Sequence, residues 1–136
     1  MYSFRNISTT VAMLIELCFD YVVVRIQLVL GMLCVQDVMM SAQNMQLPTG
    51  WTFSVLQRHI LKCSRLLDRF PFRMTCLYKA LVVKRYFARR DIQVALKIGA
   101  LGTMTAPSVH AWVEVQGASF LKGDFEGVTL TKVSLE

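Results

Sequence analysis

A thiol and an imidazole held together can carry out nucleophilic acyl chemistry, and this sequence offers one pair suited to it, Cys76 and His110. Leu77, Ala80, Leu81, Lys84 and Phe87 recur at three- and four-residue steps, and Phe70-Pro71-Phe72 blocks helical continuation from upstream. Thr75 is therefore the predicted N-cap and Cys76 a first-turn residue. At that position the unsatisfied backbone amides and the positive end of the helix dipole favour thiolate over thiol. The competing role for such a cysteine is that of a small buried hydrophobe.

His110 falls on a predicted strand. Ala111, Val113 and Val115 form an apolar side, His110, Trp112, Glu114 and Gln116 the other, and Gly117 then permits a turn. A thiol nucleophile needs a base that titrates near neutrality, and the only other histidine is His59. His59 shares a helical face with Cys63 one turn on, but two ligands without a second pair fall short of a metal site, so no metal and no cofactor is expected.

Taken in order, four segments resemble one family. They are Cys76-Leu77-Tyr78-Lys79-Ala80-Leu81, the basic helix end Arg85 to Arg90, the stretch Ile92 to Gly99, and His110-Ala111-Trp112-Val113-Glu114-Val115-Gln116-Gly117. The family is that of the transglutaminase-like leader peptidases of lasso-peptide biosynthesis, stand-alone cysteine peptidases that remove a leader before the core peptide is cyclised. The resemblance spans roughly residues 50 to 125, and the hydrophobic N-terminal region is similar as well. No single element is specific; their order and spacing carry the likeness.

The resemblance implies an α+β, papain-like or transglutaminase-like core in which N-terminal helices precede a small antiparallel sheet. It makes Cys76 the nucleophile and His110 the general base. The third member is a carboxylate shortly after the histidine, for which Asp124 is the nearest match and Glu126 the fallback. The implied substrate is a precursor peptide. The implied partners are a separate leader-recognition protein, since no leader-binding module is legible in the chain, and the lasso cyclase. Three departures bear on loop geometry: Tyr78 stands where proline is frequent, Asp91 where a glycine usually follows the arginines, and Gln116 where an acidic residue often precedes the glycine. Two other functions fit the same residues. One is a different Cys-His acyl transfer, of cross-linking or amidase type; the other is a non-enzymatic membrane-surface or scaffold protein with an inert Cys76.

A chain of 136 residues suits one domain, with a helical region at 1–48 and the peptidase core at 49–136. Hydrophobic residues make up 54% and charged ones 18%, against roughly 45–50% and 25% in ordinary globular domains. The surplus lies in Val11 to Val35, where Thr9, Glu16, Asp20 and Gln27 fall on a narrow polar stripe. Such a helix needs cover from the fold, from another protein or from a membrane surface, and the resemblance favours protein. Glu16, Asp20 and Arg25 interrupt the run, which argues against a membrane span, and no cleavage site marks a signal peptide. Arg25, nearly opposite the stripe, is expected in the core or at a packing edge, held by a carboxylate, with a contact to a partner as the alternative.

Cys18, Cys34, Cys63 and Cys76 show no metal-ligand or CxxC spacing, and a reactive thiol would be compromised in an oxidising compartment, which predicts the cytoplasm. Lys79, Lys84, Arg85, Arg89, Arg90 and Lys97 concentrate the +6 net charge around one helix. With no aromatic-interleaved sheet or recognition helix, nucleic acid is set aside and an acidic peptide or protein is expected there. The predicted elements are one or two helices over 8–40 with a break near Gly31, a connector at 41–50, a helix over 51–70, the Cys76 helix, and strands near 92–99, 109–116 and 127–133.

Overall fold

The computed structural model describes residues 4–31, 47–101, 105, 108–115 and 118–120. Asp124, Glu126, Gln116, Cys34 and the strand expected at 127–133 lie outside the described residues. Within them, helices α1 (Phe4–Val29), α2 (Phe53–Asp68) and α3 (Cys76–Ala88) precede strands β1 (Ala95–Leu101), β2 (Ser108–Val115) and β3 (Ala118–Phe120). The strands form one antiparallel sheet in the order β1-β2-β3. The expected α+β order, with helices before a small antiparallel sheet, is what the chain adopts. β3 was not expected; it falls between the strands expected near 109–116 and 127–133.

Local chemistry explains the boundaries. α1 ends where Gly31 takes a φ of 65°, at the expected break. The Pro48-Thr49-Gly50 turn closes through a Trp51 amide bond to the Pro48 carbonyl, and Thr52 then caps α2 by accepting from the Val55 amide. At the far end of α3 the Ile92 amide reaches the Phe87 carbonyl and the Asp91 amide that of Ala88, a Schellman closure with Asp91 at φ 56°. The glycine usual at this position is the residue that such a backbone favours.

α3 is the centre of the fold. Ala80, Leu81, Val82, Val83, Tyr86 and Phe87 are all buried, so its apolar surface runs around the helix instead of down one face. α1 contributes Met13, Leu17 and Val24, α2 Leu56, Ile60, Leu66 and Leu67, and the sheet side Ile92, Val94, Leu96, Ala111, Val113 and Val115.

The acidic residues of α1 turn inward. Asp20 has no exposure at all; its carboxylate lies 2.8 Å from Arg89 Nη2 and 3.2 Å from Arg85 Nε, the second contact misaligned for a hydrogen bond. Glu16 pairs with Arg89 and Arg90. On α3, Lys79 pairs with Asp68 of α2, and Lys84, its pKa lowered by burial, donates to the Val94 carbonyl. Five of the six residues of the basic cluster thus have partners within the chain, and three carboxylates offset part of their charge. The carboxylate-held reading of Arg25 is corrected. It is exposed, and its guanidinium lies over the Tyr78 ring and donates to the Tyr78 hydroxyl at 3.2 Å, with no carboxylate among the described residues holding it.

With its acids inside, α1 presents Val11, Ile15, Phe19, Val22, Ile26, Val29 and Leu30 outward. The expected surplus of apolar surface therefore lies on one face of one helix.

Removing one side of a buried ion pair strands the other, at a cost of about 3 kcal/mol where the remaining charges retain some solvent. Asp20→Ala is expected to lose about that much in urea unfolding. Asp91→Gly should gain about 0.5–1 kcal/mol in the same assay, because glycine adopts positive φ without the steric cost of a side chain.

Candidate active site

Thr75 caps α3 as expected: its hydroxyl accepts from the Tyr78 amide at 3.4 Å and its carbonyl from the Lys79 amide at 3.1 Å. Cys76 is the first helical residue, with no acidic side chain in the first turn to repel negative charge on sulfur. The thiol is half-buried.

The sulfur is seated against β2. The Ala111 amide donates to Cys76 Sγ at 3.4 Å, and Sγ lies 4.0 Å from the Val109 carbonyl, in thiol-donor geometry. These two residues flank His110. In a strand, residues two apart present their amides and carbonyls to the same edge. Residues 108–114 of β2 pair with β1 on one side, His110 opposite Gly99, whereas β3 pairs only with residues 113–115 on the other. Along Val109 to Ala111 no other described strand pairs with the second edge, and the sulfur sits where a strand neighbour would. The α3 start is thereby fixed to the backbone that carries His110, which is itself half-buried.

The sheet shapes the histidine's surroundings. Ala111, Val113 and Val115 enter the core as the alternation predicts. Trp112, on the opposite face with His110, is also buried, at 9% exposure, yet stands outside that core cluster. Its ring lies over Gly99: a Cβ there would come within 2.8 Å of Trp112 Cη2 and 3.2 Å of Cζ3. Only glycine leaves room for the indole directly across from His110.

The other titratable candidates are accounted for differently. Cys63 is fully buried, and burial pushes its thiol up to about 12, so it remains a neutral core residue. His59 donates through Nδ1 to the Val55 carbonyl at 2.9 Å and packs edge-on against Trp51. Among the described residues no group of three or more metal-ligating side chains converges. A groove of about 360 Å³ between α2 and α3, lined by Leu67, Phe70, Phe72, Met74 and Lys79 among others, includes neither Cys76 nor His110. Two contacts had no signature in the sequence. The backbone seat of the sulfur involves no side chain of β2, and the Arg25 contact to Tyr78 joins residues far apart in the chain; the aromatic departure at Tyr78 was the only hint.

A helix-borne cysteine set on a strand beside a histidine, with helices first and antiparallel strands after, defines a class that comparison with known families identifies. Residues 19–133 match the transglutaminase-like superfamily, and the chain belongs to it. That superfamily comprises cysteine-based acyl transferases and peptidases. No curated protein and no solved structure matches the chain. Among the described residues no helix is long and apolar enough to cross a membrane.

Native-state labelling with a neutral thiol reagent should modify Cys76 in a Cys18→Ser, Cys34→Ser background and spare Cys63 until the protein unfolds. Mass spectrometry of the labelled peptides reads this directly.

Proposed function

We propose that the chain is a cysteine peptidase that removes the leader from a lasso-peptide precursor, with Cys76 as nucleophile and His110 as general acid and base. The observation that supports it most is the seat of Cys76 Sγ between the backbone groups on either side of His110. The superfamily match and the ordered motifs that resemble the leader peptidases add to it.

In the reaction, the Cys76 thiol passes its proton to His110 and the thiolate attacks the carbonyl carbon of the last leader residue, forming a tetrahedral oxyanion. The amides at the start of a helix have no intrahelical acceptors, so those of Cys76 and Leu77 are available to that oxygen. Collapse breaks the C–N bond as the imidazolium of His110 gives its proton to the departing amine, leaving a thioester on Cys76. Water, deprotonated by His110, then attacks the thioester and restores the thiol. Asp124 is assigned the role of orienting the imidazole, with Glu126 in reserve. The substrate is the precursor peptide, presented by a separate leader-recognition protein; the lasso cyclase would take the released core. The chain's own groups suffice for this sequence of steps, without a cofactor.

Cys76→Ala and His110→Ala are each expected to lower leader cleavage by at least about a thousandfold while leaving circular dichroism unchanged. Asp124→Asn should depress the chemical step more than substrate binding. If Glu126→Gln is the crippled variant instead, the carboxylate was assigned two residues early. Full turnover by Cys76→Ala would refute the proposal. Products formed only when an amine acceptor is supplied would transfer it to the cross-linking branch of the superfamily.

A further inference from the structure

The outward face of α1 takes no part in the proposed chemistry, and its pattern specifies what should cover it. Val11, Ile15, Phe19, Val22, Ile26, Val29 and Leu30 are 49% to 75% exposed, and Arg25, already engaged by Tyr78, is the only charged residue among the exposed positions of residues 9–31. Ala12, Ile15, Phe19, Val22, Ile26 and Val29, all exposed, follow one another at alternating steps of three and four. Those are the a and d positions of successive heptads. The alternation keeps these residues on one continuous side of the helix, forming a seam of the kind that a second helix packs into.

We propose that α1 is the interface of a homodimer, in which two copies pack α1 against α1 in antiparallel fashion along the Ala12–Val29 seam. The seam maps onto itself about a two-fold axis between Phe19 and Val22. Ala12 then faces the second copy's Val29, Ile15 its Ile26, and Phe19 its Val22. A parallel pairing would instead set Phe19 against Phe19 and Ala12 against Ala12, an uneven core. The antiparallel pairing also opposes the two helix dipoles. Its isologous symmetry is that of most soluble homodimers. The seven large apolar side chains of this face, each 49% to 75% exposed, offer surface on the order of the ~800 Å² per partner of a standard specific interface. The charges that would otherwise resist this contact are turned away: Asp20 and Glu16 are bound on the inner side to Arg85, Arg89 and Arg90, at and just beyond the end of α3. The inference stands independently of the catalytic assignment.

Sedimentation velocity on the full chain over a micromolar concentration series tests it. A dimer is expected, weakened at least a hundredfold by Val22→Glu and retained in Val22→Leu, with far-UV circular dichroism the same in all three. Ile26→Arg, near the other end of the seam, serves as a second disrupting variant should Val22→Glu fail to fold. A wild-type chain that is monomeric throughout overturns the proposal. So does a monomer that instead sediments with phosphatidylglycerol vesicles, or one that uses this face only for a leader-recognition protein, with loss of that complex in Val22→Glu. A dimer that persists in folded Val22→Glu and Ile26→Arg would place the interface elsewhere and overturns it equally.

Discussion

A carboxylate with no solvent access must be compensated where it lies, and Asp20 is compensated by arginines that come from the last turn of α3 and just beyond it. The geometry this demands is restrictive. α1 can approach α3 only in the register and rotation that bring Asp20 to Arg85 and Arg89, and Glu16 to Arg90. Apolar packing between two helices tolerates small slips, whereas a misplaced buried charge does not. The ion cluster thus supplies orientation more than net stability, and it decides which side of α1 faces out.

At its other end α3 is held by different means. Thr75 fixes where the helix starts, and the sulfur of the next residue accepts a hydrogen bond from the edge of β2 that faces away from β1. The helix is consequently clamped to α1 at its C-terminal end and to the sheet at its N-terminal end, with apolar contacts along its length. A site assembled from a helix start and a strand edge needs both clamps. If either loosened, the sulfur and the backbone around His110 would separate although each residue remained in its own element.

The sequence was most legible where short-range rules apply. The Thr75 cap, the break at Gly31, the Pro48-Thr49-Gly50 turn and the inward side of β2 each follow from a few neighbouring residues, and each was read correctly. Less legible was whatever depends on what faces what. The polar stripe of α1 was visible, but its direction was not, because Glu16 and Asp20 look the same on a helical wheel whether they meet water or arginine. The internal pairing of Arg85, Arg89 and Arg90 was hidden for the same reason: their partners lie far upstream in the chain. Arg25 found a phenol instead of a carboxylate, a contact that only three-dimensional proximity creates. Of the candidate site, Cys76 and the strand position of His110 were readable from periodicity. The seating of the sulfur on main-chain atoms was not, since backbone groups leave no mark in a list of side chains.

The indole laid over Gly99 makes the sheet at this point a lock with one notch. Volume at position 99 and volume at position 112 are shared, because an added methyl on one strand meets the ring from the other within 2.8 Å. Drift at either site therefore has to be concerted: a larger residue in β1 is admissible only with a smaller one two positions after His110. A ring that cannot recede also braces the strand segment it belongs to. The absence of a side chain at Gly99 is in this sense a dimension of the site, setting how far apart β1 and the aromatic wall beside His110 stand.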